Sequence, residues 1–414
     1  MSDLAIYGGS PVREKAFSAW PVWDEKEKEY LIKALDSGKW GYPQWEFVPA
    51  FEKHFAAFHD TQYGICFNSG TSALVAALWA CGVRPGDEVI VPAYTFFASA
   101  SAILQAGAIP VFADIESTNF HLDAHDVEEK ITENTTAVMT VHIGGRPSDM
   151  TKLRGICDHH NLILIEDAAQ AWGSEWRSKR VGAFGDAAIF SFQSSKNITC
   201  GEGGIVVTND EKTAEYLSSY CNCGRLNDKP RYEHYYVGGN YRLDEFGGAV
   251  ITAQFERYPE LHAKRTENAE YLSSELSKIQ GVIPVNLDED VTANSFHIFL
   301  MRYRNEYFDE LPKSELIEAL RAEGIPAHPG YTVPLYKMPV FKNRAFGPRG
   351  LSDKEFRSYD NIILPQTENA CDEEGLWFTQ NILLGPREDI DDIVAAFSKI
   401  KNNIGELTER RKDG

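Results

Sequence analysis

The chain has little positive charge, and this excludes partners that are bound through basic surfaces. Its 414 residues contain 41 Lys and Arg against 61 Asp and Glu, which gives a formal net charge of −20 at pH 7. Nucleic acid and anionic membranes both require basic patches, so neither is expected to be the main partner. A local basic pocket for one phosphate group is compatible with this balance.

Long hydrophobic runs, a basic leader and a cysteine framework are also missing. No apolar run approaches the roughly 20 residues needed to span a membrane. The N-terminal sequence MSDLAIYGGSPVREKAF has no basic region followed by an apolar core. The seven cysteines are scattered, and the one close pair, Cys221 and Cys223, is a weak signal for a metal site. This usage predicts free thiols, no metal centre and a cytoplasmic protein.

The residues that are present favour a globular α/β protein. Hydrophobic residues make up 43% of the chain, which is too long for one ordinary core. Seven strand-like runs alternate with helical stretches in its first half: 63–68, 88–92, 110–114, 137–141, 162–166, 187–192 and 204–208. This alternation predicts a mostly parallel sheet with helices on both faces.

The second half of the chain contains shorter elements, which predict a smaller α+β domain. A helix over 244–258 is expected to end at Pro259, and a second helix is expected over 259–278. The boundary is therefore predicted near residue 255, with a large domain over 1–255 and a small C-terminal domain over 256–414.

Lys196 lies in a polar turn between the last two strand-like runs of the first half. Ser194, Ser195 and Asn197 adjoin it, and the glycine-rich stretch 201–204 follows. A lysine held among buried strands loses its proton more easily and can become an amine nucleophile that forms a Schiff base. A lysine in a turn more often points into water, so this residue needs support from other sites.

Three other stretches supply that support. Ser69-Gly70-Thr71 precedes a helix, where free amides and hydroxyls can bind phosphate or simply cap the helix. Asp167 follows a buried strand and needs a cationic partner, and Gln170 lies one turn later. Phe96 can lie on a planar ring or belong to the core. Together with Lys196, these groups match what pyridoxal 5′-phosphate (PLP) requires.

Several motifs then resemble one family. They are SGTSAL (69–74), VIVPAYTFFAS (89–99), VHIGG (141–145), IEDAAQAWGS (165–174), SFQSSKNITCGEGG (191–204) and GGNYRLDEFGGAV (238–250). In this order they resemble the DegT/DnrJ/EryC1/StrS sugar aminotransferases. The resemblance implies the aspartate aminotransferase fold (PLP fold type I) and a homodimer with its sites at the subunit interface.

The resemblance also implies a role for each matching residue. Lys196 would form the Schiff base and carry the substrate proton, while Asp167 would hold the ring nitrogen. Gln170 would approach the ring hydroxyl, and Phe96 would stack on the ring. The phosphate would be bound by Gly70, Thr71, Ser191 and, from the partner subunit, Asn240.

Within the family, the chain looks most similar to the branch of cyclitol-ketone aminotransferases and 3-amino-5-hydroxybenzoate synthases. The stretch HPGYTVPLY (328–336) replaces a motif found in the sugar-nucleotide branch. His328 and Tyr331 are therefore candidate substrate contacts, although they could only shape a loop. His297 is interpreted as a core histidine.

The predicted function is transfer of an amino group from glutamine or glutamate to a keto-cyclitol or keto-sugar. A nucleotide-ketosugar aminotransferase, a dehydratase similar to 3-amino-5-hydroxybenzoate synthase, and a non-catalytic PLP-binding regulator are the alternatives. Some family members that dehydrate carry histidine in place of the lysine, so Lys196 favours transamination. A nicotinamide oxidoreductase is disfavoured because no G-x-G-x-x-G follows the first strand.

Overall fold

The computed structural model of the chain describes residues 3–285, 289–346 and 358–412. Its strands are β1 Tyr63–Phe67, β2 Glu88–Pro92, β3 Ile109–Ala113, β4 Thr135–Val141, β5 Ile163–Asp167, β6 Glu175–Trp176, β7 Lys179–Arg180, β8 Ala187–Ser191, β9 Gly204–Thr208, β10 Val282–Pro284, β11 Val291–Ala293, β12 Ile298–Tyr303 and β13 Gly375–Thr379. Its helices are α1 Glu25–Ser37, α2 Phe47–Phe58, α3 Gly70–Ala80, α4 Ala98–Gln105, α5 Ala124–Glu129, α6 Met150–His160, α7 Glu211–Cys221, α8 Glu245–Leu276, α9 Lys313–Ala322, α10 Pro339–Lys342, α11 Pro365–Asn369, α12 Arg387–Asn402 and α13 Ile404–Lys412.

The largest sheet has seven strands in the order β1-β9-β8-β5-β4-β2-β3. Strand β9 runs antiparallel to both of its neighbours, and the other pairings are parallel. Six strands therefore end at the same edge of the sheet. This arrangement confirms the predicted mostly parallel, seven-stranded α/β architecture. Ligands in such sheets bind at the carboxyl ends of the strands.

Helix α3 begins at this edge of the sheet, shortly after the end of β1. Ser69 caps it, with the hydroxyl oxygen accepting a hydrogen bond from the backbone N–H of Ser72 at 3.1 Å. Its residues 73–78 are all buried, because the helix lies between the sheet and neighbouring helices. An apolar helix of this kind is held by packing on all sides, which keeps its N-terminus in place.

Helix α8 is continuous over 32 residues and contains Pro259 in its interior. The prediction that one helix ends at Pro259 and another begins there is therefore wrong. Proline removes one backbone hydrogen bond, but buried side chains on both sides of it, such as Tyr258 and Arg265, hold the helix in place. At its start, the Glu245 carboxylate accepts hydrogen bonds from the first backbone N–H groups of α2.

The second half of the chain forms a small antiparallel sheet in the order β10-β12-β13. Other residues of this half, including Tyr336, Phe341 and Tyr359, pack against Phe112 in the core of the large sheet. The division near residue 255 falls inside α8 and stays a prediction. Within the described residues, no helix has the length and apolar character needed to cross a membrane. All seven cysteines are free thiols, as predicted.

Candidate active site

A cavity of about 400 Å³ opens at the carboxyl ends of β1, β2, β4, β5 and β8. Eight of the sequence-predicted residues line it: Gly70, Thr71, Phe96, Asp167, Gln170, Ser191, Lys196 and Tyr331. They come from four separate strand ends, those of β1, β2, β5 and β8, and from the segment after residue 328. The fold therefore brings together side chains that are up to 261 residues apart in the sequence, from Gly70 to Tyr331.

One wall of the cavity is the N-terminus of α3. The first backbone N–H groups of a helix have no partner within it, and they carry partial positive charge. Gly70 opens the helix beside Ser191, and a Cβ atom built on Gly70 would lie 2.9 Å from the Cβ of Ser191. Glycine is therefore required by the close approach of these two chain segments. The two residues and Thr71 form a site suited to an anion.

Lys196 extends from the turn between β8 and β9 and is half-buried. Its backbone N–H donates to the carbonyl of Gln193 at 2.9 Å, which closes the turn. Burial lowers the pKa of Lys196 to about 8, although the Asp167 carboxylate acts in the opposite direction. An amine with this pKa is partly neutral near pH 8 and can act as a nucleophile or a base.

This pKa predicts how Lys196 reacts in the protein stripped of its cofactor. The rate of its reductive methylation is expected to rise tenfold per pH unit below about pH 8 and to level off above it, because only the neutral amine reacts. Lysine-resolved mass spectrometry across pH 6–11 measures this rate. A rate that keeps rising to about pH 10, where free lysine titrates, would contradict the expectation. The Lys196→Ala variant lacks this amine, so the peptide signal that is missing from it belongs to Lys196.

Asp167 ends β5 and is buried. Its carboxylate accepts hydrogen bonds from the Ser99 hydroxyl at 2.7 Å and from the backbone N–H of Ala169 at 3.2 Å. Burial raises the pKa of Asp167, while Ser99, Ala169 and the charge of Lys196 oppose that rise. A second cation placed beside the carboxylate would keep it ionised. Asp167 is thus a buried acid that is prepared to hold a positively charged ligand atom.

The neighbouring residue, Glu166, fixes the position of this strand end. It accepts hydrogen bonds from His142 Nε2 at 3.0 Å and from the backbone N–H of Gly182 and Gly185. His142 Nδ1 accepts a hydrogen bond from the backbone N–H of Ser148, so the ring proton lies on Nε2. Burial would raise the pKa of Glu166, but these hydrogen bonds hold it below its usual value.

The other side of the cavity is formed by Gln170, Tyr331 and Phe96. Gln170 Oε1 accepts a hydrogen bond from the backbone N–H of Gly144 at 2.7 Å, and Tyr331 lines the same side of the cavity. The Phe96 side chain is 60% exposed although it lies at the cavity. An exposed aromatic face at such a position is available for a planar ligand.

Two predicted residues lie elsewhere. Asn240 is exposed and does not line the cavity of its own chain; its backbone pairs with Asn222. His328 pairs through its backbone with Trp377 and lines a different hollow beside Arg321. Their proposed roles stay predictions.

Sequence reasoning missed two functional candidates. Ser99 donates directly to Asp167, and its position within the VIVPAYTFFAS motif, one turn after Thr95, is the signal that could have identified it. His297, which the sequence indicates as a core residue, is buried but also lines the cavity.

Comparison with known proteins identifies the family. The model of the DegT/DnrJ/EryC1/StrS aminotransferase family matches residues 21–375. The chain belongs to this family. It is therefore an aminotransferase, and its cofactor is PLP, as the sequence predicts.

Individual relatives cover nearly the whole of this aminotransferase. It is 35% identical to a Streptoalloteichus tenebrarius protein named L-glutamine:2-deoxy-scyllo-inosose aminotransferase, over 98% of this chain and 99% of the relative. It is also 35% identical to the GDP-perosamine synthase of Vibrio cholerae, over 86% of this chain and 94% of the relative. The crystal structure of 3-amino-5-hydroxybenzoic acid synthase matches with a TM-score of 0.84 at 33% identity, over 95% of this chain and 100% of that chain. These matches confirm PLP fold type I.

The residues of the cavity fit this cofactor. The N-terminus of α3 lines the cavity beside Ser191, and its first backbone N–H groups can bind a phosphate. Phe96 is exposed and can cover a ring, and Asp167 is a buried carboxylate that needs a cation. Lys196 supplies the amine. The phosphate, the ring, the ring nitrogen and the aldehyde of PLP therefore each have a matching group in the cavity.

Gly70→Ala is expected to weaken PLP binding by about 10- to 100-fold, because the added Cβ would move α3 away from Ser191. Equilibrium titration of the cofactor-free protein with PLP measures this change. Gly155→Ala is the matched control, since a Cβ at Gly155 in α6 meets no atom within 4 Å. Equal affinities of the two variants would contradict the assignment of this wall.

Proposed function

We propose that this aminotransferase moves an amino group from glutamine, with glutamate as the related donor, to a keto-cyclitol or a keto-sugar that carries no nucleotide. The observation that carries the proposal is the small cavity around Lys196. Its volume of about 400 Å³ lies near the lower end of the range for ligand sites, and it must hold the cofactor as well. PLP and a single polar ring fill a space of this size, so a nucleotide would have to lie outside the cavity. The near full-length similarity to the inosose aminotransferase supports the same substrate class.

The residues of the cavity that the sequence predicts each have a task in this reaction. Gly70, Thr71 and Ser191 would bind the phosphate of PLP, and Asp167 would keep its ring nitrogen protonated. Phe96 would cover the ring, and Gln170 would bind the ring hydroxyl. When bound, PLP withdraws electrons from the substrate carbon that loses a proton.

Lys196 would handle that proton. Its Nζ would take the proton from the donor carbon that bears the amino group and later return a proton to the acceptor carbon. The lowered pKa of Lys196 supports this role, because a base needs a neutral amine near the working pH. Tyr331 would contact the acceptor, since it lines the same cavity and its ring is held by edge contacts with Tyr94 and Trp377.

We further propose that the protein works as a homodimer in the cytoplasm, with Asn240 binding the phosphate of the second copy. Asn240 is exposed and lies outside its own cavity. Four large residues within the preceding segment 232–237, Tyr232, Tyr235, Tyr236 and Val237, are exposed together. An exposed cluster of this kind is typical of an interaction surface. The seven free thiols support a reducing compartment.

Mixed dimers test the contribution of Asn240. Lys196→Ala and Asn240→Ala subunits are denatured, mixed in equal amounts and refolded with PLP. Random pairing gives one intact site in half of the dimers, so about a quarter of the wild-type activity is expected. No gain over the separate variants would show that Asn240 acts within its own chain or not at all.

Side-by-side assays test the substrate class. The holoenzyme, with glutamine as donor, is given 2-deoxy-scyllo-inosose and a series of UDP-, dTDP- and GDP-ketosugars. We expect kcat/KM to be at least about 100-fold higher for the free ketone. The opposite preference would favour the nucleotide-sugar alternative, which the similarity to GDP-perosamine synthase also supports. Absence of any reaction between the holoenzyme and glutamine or glutamate would favour a non-catalytic regulator.

A further inference from the structure

His297 is a cavity-lining residue that the proposed reaction leaves without a role. It precedes β12 and is buried, and it shares the cavity with Lys196, Gln170 and Tyr331. Its ring packs edge-on against Trp172, with centroids 5.7 Å apart and an interplanar angle of 74°. The ring plane is therefore fixed before any ligand binds.

Hydrogen bonds determine which ring nitrogen carries the proton. Asn197 Nδ2 donates to the backbone carbonyl of Ser295 at 2.7 Å. This bond turns the Asn197 Oδ1 toward His297, whose Nδ1 lies 3.0 Å away. Because an amide oxygen can only accept, Nδ1 of His297 must carry the hydrogen. Nε2 is then a lone-pair acceptor, and the described part of the chain offers it no hydrogen-bond donor.

Nearby charges keep the ring in this neutral form. Burial lowers the pKa of His297 well below its usual value, and the positive charges of Lys196 and Arg265 lower it further. Arg265 is itself fully buried and donates to the amide oxygen of Gln380 at 2.6 and 2.8 Å, with no carboxylate bound to it in the described residues. Its charge is therefore not neutralised locally.

The cavity thus contains one fixed acceptor that needs a donor from the ligand. His297 lines the cavity, so its Nε2 acceptor is open to a donor from the ligand, and a substrate with ring hydroxyls can supply that donor. We propose that Nε2 of His297 accepts a hydrogen bond from one hydroxyl of the keto substrate and makes the enzyme specific for substrates that carry this hydroxyl. The proposal rests on the proposed function. It assigns His297 a role in substrate selection.

Two substitutions separate this role from a structural one. His297→Asn keeps a side-chain N–H that can donate to Asn197 but removes the acceptor at the Nε2 position. His297→Gln extends far enough to place an amide oxygen near the position of Nε2. Asparagine is therefore expected to abolish the selection, and glutamine is expected to restore part of it. His159→Asn, at an exposed position near the end of α6, serves as the control.

The experiment measures kcat/KM of the holoenzymes for a polyhydroxylated cyclohexanone and for analogues that each lack one hydroxyl. For the wild type, one analogue is expected to be about 10- to 100-fold poorer than the parent ketone. For His297→Asn, kcat/KM for the parent ketone should fall to the value for that analogue. The kcat/KM for the analogue itself should change less than about threefold relative to the wild type. Calorimetric Kd values for the ketones, measured without glutamine, should show the same pattern.

Other outcomes overturn the proposal. An equal loss for the parent ketone and all analogues in His297→Asn would show that His297 positions Lys196 or supports the fold. The same conclusion follows if His297→Gln recovers none of the selection. If the wild type aminates nucleotide-sugars but none of the free ketones, the proposed function fails and this inference fails with it. Turnover of the ketones without a His297-dependent difference refutes this inference alone.

Discussion

Replacing Lys196 by alanine is expected to lower kcat by at least about 10⁴-fold, because the same amine would join the cofactor to the protein and transfer the substrate proton. The holoenzyme should also lose the adduct at residue 196 that borohydride traps. Single-turnover kinetics with glutamine and peptide mapping after borohydride reduction measure the two effects. Neither depends on which keto substrate the enzyme uses.

A second lysine variant distinguishes this effect from a general loss of charge. Lys212→Ala removes an exposed lysine from α7 and should keep both the activity and the trapped adduct. Retention of activity and of a trappable adduct in Lys196→Ala would refute the assignment of this residue. Circular dichroism of the variants before the assay confirms that the comparison concerns folded protein.

Asp167→Asn is expected to have the second-largest effect, a decrease of about 10²- to 10³-fold in the rate of the glutamine half-reaction. The amide has nearly the same shape as the carboxylate but cannot stabilise a positive charge on the ring nitrogen of PLP. The pKa of Asp167, which burial raises in the free chain, would fall once that cation is bound. Stopped-flow absorbance of the cofactor reports the rate, and its pH titration reports the charge.

Ser99→Ala provides a graded comparison at the same site. It removes one hydrogen bond to Asp167, from a donor at 2.7 Å, and leaves the carboxylate in place. We expect a decrease of about tenfold or less. A rate for Asp167→Asn that equals or exceeds that of Ser99→Ala would show that the negative charge at this position is not needed.

The strands of the large sheet could be predicted because they are short, apolar and regularly spaced. The residues that line the cavity could be predicted where a motif places them at the end of such a strand, as for Gly70, Asp167 and Lys196. The prediction of these positions depends on the local sequence pattern and on the rule that parallel strands end at the same edge of a sheet.

The remaining parts depend on contacts between distant segments. His297 is brought to the cavity by its bond to Asn197, 100 residues earlier, and a single sequence does not reveal that contact. Pro259 suggests a helix end by its local preference, but tertiary packing overrides that preference within α8. Asn240 lies outside the cavity of its own chain, and the role proposed for it requires a second copy of the chain.

The uninterrupted α8 also has a consequence for how the protein comes apart. A helix of 32 residues is about 48 Å long, and this one contacts both α1 and α2 near its start and α12 farther along. Because α8 is continuous, unfolding of the helices that pack against one half of it would also disturb the contacts of the other half. Thermal melting followed by calorimetry should therefore show one cooperative transition for the cofactor-free chain. Two separate peaks would indicate that the segments of α8 before and after Pro259 unfold independently.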